Sequence, residues 1–267
     1  MIFTSSHQRF LGGGRGGIPS LVSTIRSPVK SKSLDKSGSL PLSRANPQSR
    51  GDASNFTSLY EPLECIRPVG IDYRDVILVQ AFTWESAQSE SWYRHVREAI
   101  PLLREYHVTH VWLPPASQSL DRQGYLPQAL YDLNSSSYGT FEELRDLNRD
   151  LCASSMRPVA DIVMNHRCPD GQDENGIWNQ YRDEMDHPGA TLQWDTSAVA
   201  SDDPIWPGVG GKDTGKDYEA APDLDHTNPL VVDGLTDWLT WMRSHVGFEG
   251  ACQNLSYSTL RCAALTL

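Results

Sequence analysis

Asp161, Asn165 and His166 close a short apolar run, RPVADIVMNHRC over 157–168, and so bring a carboxylate, an amide and an imidazole to one place. Val159, Ile162 and Val163 give the run the β-branched bulk of a buried strand. A carboxylate inside such a strand is costly unless it is hydrogen-bonded or functional. Polar groups gathered at the carboxyl end of a parallel strand form the rim on which α/β folds place their sites. Asp161, inside the strand, reads as a scaffold of that rim rather than a catalyst.

Two further clusters have chemistry in them. Asp213, Asp217 and Asp223, in KDTGKDYEAAPDLDHTN, together with Asn165 make an oxygen-rich set. Calcium takes six to eight carboxylate, amide and carbonyl oxygens, and an irregular glycine-containing loop can wrap several around one ion. The same composition also describes a solvated, turn-forming surface. Trp84 and Tyr125 sit in loop-like segments, and with His166 they fit a glycan site, where aromatic faces stack on sugar rings beside hydrogen-bonding groups. Loop packing and a structural histidine are the plain alternatives.

The elements that would position these groups alternate between strand and helix. The run over 76–82 (VILVQAF) predicts a buried strand. Ser91 caps a helix with apolar positions at Trp92, Val96, Ala99, Ile100 and Leu103, in which Pro101 predicts a kink or restart. HVWLPP over 110–115 predicts a second strand. Thr140 and Glu143 form a capping box for a helix with Phe141, Leu144, Leu147 and Leu151 on one face. The 157–168 run is the third strand. Asn228 and Pro229 start a last helix through Val231, Leu235, Trp238, Leu239, Met242 and Val246, closed by Gly247. Strand–helix–strand repetition is the signature of a parallel α/β fold. Between them, 167–222 is polar, rich in Gly, Asp and Trp, and aperiodic, which predicts an inserted domain held by something other than a core, a metal being the obvious candidate.

Residues 1–51 carry eight Lys or Arg and one acidic residue, leaving 15 basic against 33 acidic residues in the rest of the 267-residue chain. The acidic body argues against nucleic acid and anionic membranes as partners. No apolar run approaches the length of a membrane span. The Ser-rich, basic, acid-poor start over 1–55 reads as a transit peptide to a plastid, followed by a linker over 56–75; a tail without an address, and hence a cytoplasmic protein, is the alternative. Five cysteines, Cys65, Cys152, Cys168, Cys252 and Cys262, without C-x-x-C spacing, fit reduced thiols better than a disulfide framework.

THVWLPPASQS, GYLPQALYDLN, DIVMNH and APDLDHTN, in this order between about Ile77 and Gly250, resemble the first half of a plant-type α-amylase. The resemblance implies a (β/α)8 TIM barrel, here truncated after about three βα units, with barrel over 76–166, an irregular inserted calcium-binding domain after strand three over 167–222, barrel again over 223–250, and a divergent tail over 251–267. It implies endo-hydrolysis of α-1,4-glucosidic bonds in starch as the family's activity, with a related α-glucan transferase or a non-catalytic glucan-binding or regulatory fragment as alternatives. It implies Tyr125, His166 and, more weakly, Trp84 as substrate-binding residues, and Ca²⁺ on Asn165, Asp213, Asp217 and Asp223. The family's nucleophile is an Asp within Trp-Arg-x-Asp on strand four. Here GFEG over 247–250 leads into ACQNLSYSTLRCAALTL, with no Trp, Arg or Asp of that motif and no acidic residue after Glu249. No catalytic carboxylate is therefore assigned, and the chain alone is expected not to hydrolyse starch. Oligomeric state is left open.

Overall fold

The computed structural model describes residues 2–4, 76–184, 192–215, 218–255 and 259–264. Its centre is a block of four parallel strands, β2 (Ile77–Gln80), β3 (His110–Leu113), β6 (Arg157–Ile162) and β9 (Gly250–Leu255), numbered along the whole chain. An antiparallel strand flanks the block on each side, β1 (Ile2–Thr4) against β2 and β10 (Thr259–Ala264) against β9, giving the order β1-β2-β3-β6-β9-β10. Apart from Ile2–Thr4, the expected leader and linker over 1–75 lie outside the described residues.

Local chemistry sets the helices. Ser91 caps α1 (Trp92–Glu98) through the Arg94 amide, and Pro101 sits in the first turn of a new helix, α2 (Ile100–Glu105), so the chain restarts there. Thr140 and Glu143 form a reciprocal capping box on α3 (Phe141–Ala153), worth about 1 kcal/mol. Asn228 caps α4 (Pro229–Trp241) by accepting from the Leu230 amide. A single π-type turn, Met242–Val246, follows α4, and Gly247 at φ 90° turns the chain back into β9.

Strand alternation separates two faces. Val79, Val111, Leu113, Ala160 and Ile162 join Leu103, Leu144, Leu147, Trp238 and Trp241 in the main core. Phe82, Trp112, Val159 and Cys252 form a smaller cluster, and parity puts Asp161 on the same face as Val159. In the ladders Trp112 lies opposite Val159, and Asp161 opposite Cys252.

The segment 167–222 sends Leu192, Trp194 and Ala198 into the main cluster, so core contacts anchor it. Tryptophan and leucine supply that anchor without periodicity, which is why it does not show as a helix or strand pattern. The cysteines depart from the reduced reading, since Cys152 and Cys252 each belong to a disulfide, while Cys168 is free and buried, its thiol pushed up to about 12 by burial.

Candidate functional site at the carboxyl end of the parallel strands

After β2 the chain enters a 3-10 turn, Trp84–Gln88, that leaves the Trp84 indole 62% exposed. After β3 a long loop carries the short strands β4 (Gln118–Ser119) and β5 (Pro127–Ala129), paired antiparallel. Between them Gly124 adopts φ +91°, and a Cβ there would lie 2.7 Å from the Pro115 side chain, so the loop folds back closely on itself. Tyr125 follows directly, its ring stacked parallel to Trp84 with centroids 6.3 Å apart. Gln123 adds a hydrogen bond from its side-chain amide to the Trp84 carbonyl. The two aromatic residues singled out in sequence thus form one platform.

Beneath it lies Asp161, 2% exposed. The Tyr125 hydroxyl donates to Asp161 Oδ2 at 3.1 Å. Among the described residues Asp161 Oδ1 makes no bond of hydrogen-bond geometry, nor does the Trp112 indole N–H that approaches the carboxylate. Burial raises the Asp161 carboxyl from its ordinary 3.8 to about 7, and the Tyr125 and Trp112 donors offset that only in part.

His166 is buried rather than presented to solvent. Its Nε2 lies 2.8 Å from the Tyr125 carbonyl, so Nε2 carries the proton and Nδ1 is the bare nitrogen. Burial lowers its pKa, keeping it neutral. Its ring stacks on Tyr218 at 4.1 Å between centroids. His166 therefore ties the long loop to the strand end, and Tyr218 covers it from the inserted segment. Tyr218's ring role was not legible in sequence, where nothing marks which face it meets.

The oxygen cluster is assembled in part. Asn165 Nδ2 donates to Asp223 Oδ1 at 2.5 Å, and the Tyr218 amide donates to Asp223 Oδ2. Asn165 Oδ1 and both carboxylate oxygens of Asp213 converge beside Gly215, within 3.4 to 3.7 Å of the point a Cβ would occupy there. That small cradle of amide and carboxylate oxygens matches the donor chemistry of calcium. Among the described residues no three His, Cys, Asp or Glu side chains converge. Asp217 lies outside the described residues.

The insert meets the site through Arg167, which follows His166 and is only 1% exposed. Its guanidinium bonds Glu184 at 2.6 Å and the Gln128 carbonyl at 2.8 Å, between the rings of Tyr181 and Trp194 at 5.1 Å each. Glu184 in turn accepts from the Leu130 and Tyr131 amides.

The fourth parallel strand, β9, runs through what sequence marked as a divergent tail, because the free edge of β6 pairs with Gly250 onward. Along it Ala251, Cys252, Gln253 and Asn254 stand where the resemblance implies Trp-Arg-x-Asp.

No family model matches the chain. Among curated proteins, α-amylase 3, chloroplastic, of Arabidopsis thaliana is 39% identical over 174 residues, which are 65% of this chain and 19% of that protein. Probable α-amylase 2 of the same plant is 40% identical over 178 residues, 67% of this chain and 40% of that protein. The chain therefore spans less than half the length of either. Among solved structures, an α-amylase from Geobacillus thermoleovorans complexed with acarbose is 18% identical, with a TM-score of 0.43, over 61% of this chain and 34% of its own. Among the described residues no helix is long and apolar enough to cross a membrane.

Proposed function

From a chain homologous to the α-amylase family over about two thirds of its length, we propose a glucan-holding half of a starch-degrading (β/α) barrel, binding α-1,4-glucan without cleaving it. The observation that carries this is the exposed Trp84 indole stacked on Tyr125 at the carboxyl end of four parallel strands. An indole face is apolar where a sugar ring is apolar, and the buried Asp161 and His166 fix the ring and backbone of Tyr125 beneath it. Retaining cleavage needs two carboxylates about 5 to 5.5 Å apart. The sequence has Asn254 where the resemblance implies the nucleophile, and the 267-residue chain is expected to release no reducing ends from starch.

Calorimetry with maltoheptaose tests the reading. Binding is expected, and Trp84→Ala should weaken it about tenfold, the loss of one stacking contact. Wild-type protein that ignores maltoheptaose, or a Trp84→Ala variant that binds equally well, would sink it.

Calcium is the cation the reading calls for, with Asn165, Asp213 and Asp223 as the ligands that the resemblance implies together with Asp217. When bound it would neutralise the acidic loop and cross-link the end of β6 to the insert. Saturating Ca²⁺ should raise the melting temperature by several degrees, as about 2.7 kcal/mol at a hundredfold excess over Kd implies. Asp213→Ala should abolish that rise, and an equal rise in the variant would remove Asp213 from the site. The basic leader is read as a plastid address, a reading that a fluorescent fusion of residues 1–75 remaining in the cytosol would remove.

A further inference from the structure

A line of contacts runs from a buried carboxyl to the surface. Asp161 Oδ2 accepts from the Tyr125 hydroxyl, and the Tyr125 ring supports the exposed Trp84 indole. The groups facing Asp161 are few. Trp112 comes from β3 and Cys252, disulfide-bonded, from β9. The long loop supplies Tyr125 and Tyr138, the latter feeling both Asp161 and Asp121. His166 lies beyond the end of β6 and feels Asp121. Among the described residues no cation pairs with Asp161. Its charge is therefore held by the Tyr125 hydroxyl with only the approach of Trp112 to help.

We propose that Asp161 is a positioning residue whose negative charge locks Tyr125 under Trp84, so that proton uptake by Asp161 loosens the glucan-stacking platform. This rests on the glucan reading above. A hydrogen bond from a hydroxyl to a carboxylate is roughly twice as strong as one to a neutral acid. The carboxyl sits near 7 because it is buried, so the lock is closed above neutrality and opens below it. Glucan affinity is then greatest at alkaline pH and falls about fivefold on acidification by two pH units.

The test follows Tyr125 directly, by NMR of tyrosine isotope-labelled at the hydroxyl-bearing carbon, with the signal assigned by its loss in Tyr125→Phe. Between about pH 5.5 and pH 8.5 the wild-type signal should titrate with a midpoint near 7 and stay flat in Asp161→Asn. A flat wild-type signal, or one titrating equally in Asp161→Asn, overturns the proposal. Maltoheptaose affinity, measured in parallel, should lose its pH dependence in both Asp161→Asn and Tyr125→Phe. If Asp161→Asn does not fold, Tyr125→Phe decides: it removes only the donor, and retained pH dependence of binding overturns the lock. If maltoheptaose binds at no pH while Tyr125 still titrates, the lock stands and the glucan reading fails.

Discussion

Arg167→Met lowers the stability of the full chain by about 3 to 5 kcal/mol and its melting temperature by roughly 10 °C. The guanidinium is buried between two aromatic rings and bonded to Glu184 and a backbone carbonyl. Removing it strands the Glu184 carboxylate, which among the described residues keeps the amide donors of Leu130 and Tyr131. Glu184→Gln strands the opposite charge and should cost a similar amount. The double variant should recover part of the loss, because the larger penalty is an unpaired buried charge rather than a missing attraction. An exposed pair provides the contrast. Arg182 bonds Asp170 while half-exposed, and Arg182→Met should cost less than about 1 kcal/mol. If denaturant melts of Arg167→Met and Arg182→Met coincide, the insert is not held by this ion pair.

Arg167 also shows where sequence reasoning stops. Its partners are 17 residues away at Glu184 and 39 away at Gln128, and no local pattern distinguishes a stapling arginine from a solvated one. What was legible is local. Ser91, Pro101, the Thr140 and Glu143 box, and Asn228 with Pro229 all act within one helical turn, and each helix begins where they place it. The strands 110–113 and 157–162 were legible because near-complete burial demands apolar bulk, and 77–80, only partly buried, because Ile, Leu and Val follow one another there. β9 was not, since Ala251 to Asn254 has neither β-branched bulk nor alternation. It forms because Gly247 returns the chain to the unpaired edge of β6. At the site, residue types pointed to Trp84, Tyr125 and His166, but the stacking of the first two and the burial of the third depend on contacts across 41 residues. Asp161 was recognisable as an oddity within an apolar strand. That it holds Tyr125 required the loop's path.

The pH dependence of stability carries the clearest mark of Asp161. Its carboxyl titrates near 7 in the folded protein against 3.8 ordinarily, so between these values the native state holds a proton the unfolded chain has released. The sign follows from that difference: this group's stabilisation is full below about pH 4 and is lost as pH rises through about 7. At about 1.4 kcal/mol per pH unit the loss by pH 8 reaches about 4 kcal/mol. Other groups oppose it. Burial lowers His166, His226, His245 and, to about 4 with help from Arg157, His110, so each destabilises the fold on acidification below its unfolded value near 6.5. Asp195, held low by Ser197, adds a loss in stronger acid. The wild-type curve alone therefore mixes signs, and the informative quantity is its difference from Asp161→Asn, which keeps the histidines and removes the one carboxyl. Asparagine cannot ionise, so the variant should be less stable than or equal to wild type at about pH 5, where Asp161 is a neutral acid, and more stable by about 2 to 4 kcal/mol at pH 8. Denaturant melts across that range decide it. A difference that does not change sign or grow with pH would mean that Asp161 is ionised throughout, paired with a charge that its neighbours Trp112, Tyr125 and Cys252 do not supply.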